Sequence, residues 1–186
     1  MKKIAAIICL LSVLVCVNVL GQSKEKMKRL IKESAEAKQE FLDKDFQMED
    51  HFAGAYAYVI FPNVGKGAIG VGGAAGTGIV YERGVIIGVA KLSQVSIGFQ
   101  FGGQAYREII FIESKKDLEN FKNNKVKLSA QASAVACTEG ASANARYRDG
   151  IMIFTMQKGG LMYEASVGGQ VFKFKPLKKD KKKRRV

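Results

Sequence analysis

The 186-residue chain has few of the side chains that usually build catalytic and metal sites. It contains one histidine, three cysteines, two prolines and no tryptophan. A hydrolase triad cannot be assembled with confidence around the single histidine, His51. A metal centre needs several ligands, and no spacing of histidine and cysteine supplies them. We therefore expect a protein that is not an enzyme, with no catalytic residue, no metal and no cofactor.

The chain is also short of acidic residues, with 17 Asp and Glu against 30 Lys and Arg and a formal net charge of +13. This excess favours anionic partners, such as a phospholipid or lipopolysaccharide surface. The acidic residues between 40 and 50 lack the D-x-D-x-D-G pattern of a calcium loop. They fit a solvated helix face.

Residues 1–21 resemble a secretory signal peptide. Lys2 and Lys3 precede an apolar stretch over 4–17, and Val19-Leu20-Gly21 suits cleavage before Gln22. The apolar stretch is short for a membrane span of about 20 residues, although an uncleaved anchor is the alternative. Cleavage lowers the net charge to +11. Export to the periplasm, the envelope or the medium disfavours nucleic acid as a partner.

Cys137 is the one cysteine left after such cleavage, because Cys9 and Cys16 lie within residues 1–21. An intramolecular disulfide is therefore not expected. Val15 before Cys16 does not fit a lipoprotein signal, which needs a small residue there. The apolar and small neighbours of Cys137 favour a buried, unreactive thiol.

Residues 23–50 show helical spacing, and the acidic C-terminal half of this segment resembles a break or a second short helix through Phe46, Met48 and Phe52. One face of the first helix carries apolar residues, among them Met27, Leu30 and Ile31. The other face is basic and carries Lys24, Lys26, Lys28, Arg29 and Lys32. Two interpretations remain open: a helix that lies in a membrane interface, and a helix that packs on the core with a solvated outer face.

From residue 55 the pattern changes to short strands. A strand over 55–62 ends at Pro62, a hairpin turns at Glu82-Arg83-Gly84, and Ser114 caps a short helix. We interpret 125–147 as strands, with a helix as the alternative, and 151–175 as a meander. The predicted class is α+β: N-terminal amphipathic helices, then an antiparallel, barrel-like sheet with one short inserted helix.

The segment 61–78 contains seven glycines, and 65–70 matches the dinucleotide pattern G-x-G-x-x-G. That pattern binds a pyrophosphate only when a helix follows, whereas a second strand follows here. We therefore expect these glycines to permit bulges and close strand packing.

The chain ends in a polybasic tail over 176–186. Its basic residues are Lys178, Lys179, Lys181, Lys182, Lys183, Arg184 and Arg185. They offer a second contact with an anionic surface, and a solvated end without a partner is the alternative.

Four segments together resemble the SYLF domain, also called the Ysc84-type actin-binding domain. They are AYAYVIFPNVGKGAIGVGGAAGTGIVYERG (55–84), QVSIGFQFGGQAYREIIFI (94–112), VKLSAQASAVA (126–136) and MQKGGLMYEASVGGQVF (156–172). The resemblance covers about residues 25–175. We therefore divide the chain into a signal peptide over 1–21, a SYLF-like lipid-binding domain over 22–175 and a polybasic tail over 176–186. It departs from the family at 88–93, where many members have a Trp-Ser-x-Pro segment.

The resemblance implies lipid binding, with phosphoinositides as ligands in eukaryotic members, and actin binding in some fungal members. An exported protein meets no actin in its own cell, so lipid is the property that transfers. The matching positions are the N-terminal amphipathic segment and Lys66. We predict a peripheral lipid-binding module on anionic membranes. The alternative is an envelope assembly protein that acts through protein contacts, and homo-oligomer formation stays open.

Overall fold

The computed structural model describes residues 24–69, 71–97, 102–124, 126, 134–159 and 169–177. Three helices lie in this part of the chain: α1 over 24–44, α2 over Met48–Gly54 and α3 over Lys115–Lys122. The sequence left a break or a second short helix open after the first helix, and the structure has a second helix, α2. Among the described residues, no helix has the length and apolar character that crossing a bilayer requires.

Among the described residues, seven strands form one mostly antiparallel sheet in the order β5-β6-β4-β1-β2-β3-β7. Of the strand pairs in this part of the chain, only β5–β6 is parallel. The strands are β1 Ala57–Ile69, β2 Val71–Glu82, β3 Val85–Ile97, β4 Gly102–Ile112, β5 Val135–Ala136, β6 Ile151–Gly159 and β7 Gln170–Pro176.

The sheet curls strongly but is not closed, which corrects the predicted barrel-like sheet. Gln170 of β7 donates a hydrogen bond to Glu108 of β4, four strands away in the sheet order. In the part of the chain that the structure describes, β5 and β7 remain edge strands without ladder bonds between them. Among the residues that the structure describes, side chains and not backbone pairing connect the two sides of the curl.

Two hydrophobic clusters lie on opposite faces of the sheet. The concave face buries Val59, Phe61, Ile110, Ile153 and Phe172 together with Leu118 and Phe121 of α3. The convex face buries Tyr58, Ile60, Phe111 and Phe154 beneath Ala37 and Phe41 of α1 and Met48 near the start of α2. The period-2 alternation along each strand divides its apolar residues between these faces.

Gly76 and Gly78 of β2 lie at a bulge in β1, in agreement with the predicted role of the glycines. The β1–β2 register shifts between Ile60 and Val64. A Cβ on Gly78 would lie 2.6 Å from the Ile60 carbonyl oxygen, so only glycine fits there without a shift. The strand does not end at Pro62, which corrects our prediction. Pro62 lies within the bulge, where no ladder bond needs its missing N–H group.

The turn and cap predictions are confirmed, whereas the strands predicted over 125–147 are confirmed only at β5 among the described residues. Arg83 and Gly84 have φ values of 48° and 77° in the β2–β3 hairpin, and the Asp117 N–H donates to Ser114 Oγ at the start of α3. Most of 125–133 lies outside the described residues. In 134–147, only β5 is a strand, and a 3-10 helix spans Ala141–Asn144.

Candidate functional site

The second part of α1, residues 33–44, is fastened to the convex face of the sheet. Ser34 Oγ lies 3.1 Å from the Tyr81 hydroxyl, and Asn63 Nδ2 donates to Glu33 Oε2 at 3.0 Å. The Arg107 guanidinium, which is almost buried, donates to both carboxylate oxygens of Glu40. Such a two-pronged ion pair fixes orientation as well as position. This part of the helix is a packed structural element.

Asp45 anchors the end of α1. Asp45 accepts hydrogen bonds from the Ser142 and Gln47 backbone N–H groups, at 2.8 and 3.2 Å. Burial opposes ionisation of Asp45, but these bonds and one from the Gly140 backbone outweigh it and lower its pKa. The charged carboxylate therefore holds the 3-10 helix against the end of α1.

The first part of α1, residues 24–32, has a different environment. Its five basic residues, Lys24, Lys26, Lys28, Arg29 and Lys32, are all exposed. Among the described residues, its ion pairs are internal to the helix: Lys28–Glu25, Arg29–Glu33 and Lys32–Glu36. The basic side chains in these pairs are 76 to 80% exposed. Pairs this exposed contribute about 0–1 kcal/mol, so they leave the cations available to another anion.

The three apolar residues predicted to insert or pack lie on the docked side of the same helix. Met27, Leu30 and Ile31 are half-buried, and the positions seven residues after Met27 and Leu30 are Ser34 and Ala37, which are buried. Two helical turns separate such positions, so they share one face. The apolar stripe thus continues from the docked part into the basic part.

The direction of α1 across the sheet follows from its contacts. Phe41 lies near Cys137, which follows β5, Glu40 binds Arg107 of β4, and Ser34 meets Tyr81 of β2. This is the sheet order read from β5 towards β7. Residues 24–32 therefore extend past β2 in the direction of β3 and β7.

Lys66 lies apart from this basic helix. Its side chain is 8% exposed on the concave side of β1, in line with Val64, and it already interacts within the protein. The structure therefore does not bring Lys66 together with the basic residues of α1. The basic tail from Lys178 onwards lies outside the described residues.

The concave face contains a buried polar group that sequence reasoning missed. Gln170 Nε2 donates to Glu108 Oε2 at 2.9 Å and lies 3.4 Å from the Tyr106 hydroxyl. Burial raises the pKa of Glu108 to about 8, and the Gln170 bond offsets only part of this effect. A carboxyl group in an apolar strand pattern was the available signal, because Glu108 alternates with Ile110 and Ile112.

The two side chains considered for reactivity serve packing. Cys137 is 6% exposed with its Sγ 3.6 Å from Met48 Sδ, and burial raises the pKa of its thiol to about 11. His51 Nε2 lies 3.0 Å from the Ser142 carbonyl oxygen, and its ring packs against Phe111 and Phe154. Among the described residues, no group of three His, Cys, Asp or Glu is placed to hold a metal ion.

The comparison with protein families identifies part of the chain. The Ysc84 family model, described as "Las17-binding protein actin regulator", matches residues 93–179, slightly under half of the chain. The comparison with curated proteins found no match. The matched part runs from within β3 to just beyond β7, so α1, β1 and β2 lie before it. The resemblance to the Ysc84 (SYLF) family that the sequence predicted is therefore confirmed over residues 93–179.

Proposed function

We propose that this protein is an exported, non-enzymatic lipid-binding module that associates peripherally with anionic membrane surfaces through residues 24–32 of α1. The observation that carries the proposal is the division of α1. Residues 33–44 fasten the helix to the sheet, while the five basic residues of 24–32 stay exposed. Among the described residues, the ion pairs that Lys28, Arg29 and Lys32 make are within the helix. The domain therefore presents a cationic segment in a fixed position.

The energetic scale fits reversible binding. A Lys or Arg near an anionic leaflet contributes about 1 kcal/mol, and salt screens this attraction. Five such residues correspond to a dissociation constant between about 1 mM and 0.1 mM at moderate ionic strength. The half-buried Met27, Leu30 and Ile31 add apolar contact only if the first turns rotate or detach. The electrostatic contribution needs no such change.

Co-sedimentation with vesicles tests the proposal. The full chain should bind vesicles that contain phosphatidylglycerol, release them in high salt, and bind pure phosphatidylcholine vesicles weakly. The variant Lys24→Gln/Lys26→Gln/Lys32→Gln, called the helix variant, should lose most of this binding. The control variant Lys44→Gln/Lys115→Gln/Lys116→Gln removes the same charge from other exposed positions and should keep most of it. Equal binding to acidic and neutral vesicles, independent of salt, would contradict the mechanism.

The description of the matched family names protein partners, so protein binding is the alternative to lipid binding. Sedimentation with actin filaments is the parallel experiment. If the wild type binds filaments but not acidic vesicles, the functional partner is a protein and the lipid proposal fails. Export is tested separately by sequencing the N-terminus of the mature protein, which we expect to begin at Gln22.

A further inference from the structure

The convex face of β3 and β7 carries a row of exposed lysines. Lys91 of β3 and Lys173 and Lys175 of β7 are exposed, whereas the alternate residues Leu92 and Phe172 are buried on the concave face. Val171, 46% exposed, points to the same convex side as the lysines of β7. We call Lys91, Lys173 and Lys175 the lysine row.

The lysine row is electrostatically unfavourable in isolation. Lys91 and Lys173 are direct partners in the β3–β7 register, and like charges that lie opposite each other destabilise a sheet. Neither β3 nor β7 contains an acidic residue. Among the described residues, the ion pairs involve other cations. An external anion would relieve this repulsion.

The lysine row lies on the side of the sheet towards which the basic part of α1 extends. Ser34 contacts β2, and the ten residues from 24 to 33 add about 15 Å of helix at about 1.5 Å per residue. Neighbouring strands are about 4.8 Å apart, so this length is sufficient to reach across β3 and β7. The chain also leaves β7 at this edge, immediately before the basic tail that starts at Lys178.

We propose that the lysine row is a second phosphate-binding element, and that the β3–β7 edge lies flat against an anionic lipid surface together with residues 24–32. This inference rests on the proposed function and adds an orientation to it. Charge complementarity selects the occupant, because among the described residues none of the three lysines of the row forms an ion pair with a carboxylate. Long lysine stems allow the ammonium groups to reach head groups while Val171 contacts the interface.

Quantitative vesicle binding tests this orientation. The variant Lys91→Gln/Lys173→Gln/Lys175→Gln, called the row variant, should bind phosphatidylglycerol vesicles at least about tenfold more weakly than the wild type at moderate salt. The control variant defined above should change affinity by no more than about twofold. A row variant that binds as tightly as the control overturns the inference.

The two proposals fail in distinguishable ways. If the wild type does not bind acidic vesicles, the proposed function fails. If the helix variant loses binding and the row variant does not, only the lysine row is excluded. If the row variant loses binding and the helix variant does not, the row binds lipid, but the proposed role of residues 24–32 and the joint orientation are overturned.

Folding of the row variant is checked by circular dichroism and thermal unfolding. Loss of a like-charge pair should leave the melting temperature unchanged or higher. If the row variant unfolds at a lower temperature, two further variants decide. Lys91→Arg/Lys173→Arg/Lys175→Arg should bind within about twofold of wild type, and Lys175→Gln alone should weaken binding about fivefold. Weakened binding by the arginine variant, or unchanged binding by Lys175→Gln, counts against the row.

Discussion

At the scale of single residues, Glu108 gives the protein a specific pH dependence. Burial places its pKa at about 8, against 4.5 for an ordinary glutamate. Between these two pH values the folded protein keeps a proton that the unfolded chain has released. Stability therefore falls as the pH rises through this window, by about 1.4 kcal/mol per pH unit at most, and the slope vanishes above it.

We predict that Glu108→Gln flattens this dependence. The variant side chain keeps an oxygen that can accept the Gln170 bond and has no proton to release. Urea unfolding at several pH values between 5 and 9 measures the effect. The variant should lose less stability than the wild type as the pH rises. Parallel curves for the two proteins would show that Glu108 ionises normally in the folded state.

Gly78 and Gly65 serve as test position and control for the role of the glycines in shaping the sheet. A Cβ on Gly78 would come within 3.0 Å of Ile60 and Phe61, whereas a Cβ on Gly65 would meet no atom within 4 Å. We predict that Gly78→Ala destabilises the fold by about 1–3 kcal/mol through overpacking, and that Gly65→Ala changes stability by about 0.5 kcal/mol or less. Urea unfolding compares them. Equal effects would mean that the bulge tolerates a side chain.

At the scale of elements, the Arg107–Glu40 pair decides whether α1 stays on the sheet. Arg107 is almost buried and also donates to the Pro62 carbonyl oxygen at 3.2 Å. Removing the carboxylate leaves a nearly buried cation without its anionic partner. A buried cation that loses its hydrogen-bond partner is destabilising, so we expect the free energy of unfolding to fall by about 1–3 kcal/mol.

We predict that Glu40→Gln lowers the free energy of unfolding by that amount and increases amide hydrogen exchange along α1. Glu36→Gln is the control, since the Glu36–Lys32 pair is exposed and contributes little. Unfolding in urea and hydrogen exchange followed by mass spectrometry measure both effects. If exchange in α1 is the same in the two variants, the ion pair does not secure the helix.

At the scale of the whole molecule, changing the composition of the basic tail tests its predicted contact with an anionic surface. Replacement of its seven basic residues by Gln should weaken binding to phosphatidylglycerol vesicles without changing the melting temperature, because the tail would act only through long-range attraction. A tail with the same residues in shuffled order should bind like the wild type. Vesicle co-sedimentation measures both. Loss of binding in the shuffled variant would point to a specific sequence motif.

Local chemistry explains which elements were predictable. Arg83-Gly84 and Asp149-Gly150 supply positive φ angles, and Ser114 supplies a cap, so these turns and the start of α3 follow from neighbouring residues. The Ala-rich stretch before Tyr147 has no such signal, because alanine fits helix, strand and turn. Long-range contacts set its conformation, among them the bond from the Ser142 N–H to Asp45.

The sequence by itself determined the α+β class, the β2–β3 turn, the cap of α3, the basic charge and the family resemblance, because periodicity, turn chemistry and composition are local properties. Tertiary structure alone decided three other features. It left the curled sheet open, placed Lys66 in the interior, and divided α1 into a docked and an exposed part. Each depends on which residues meet across distant segments. The chain order does not specify that Glu40 reaches Arg107 or that Lys91 lies opposite Lys173.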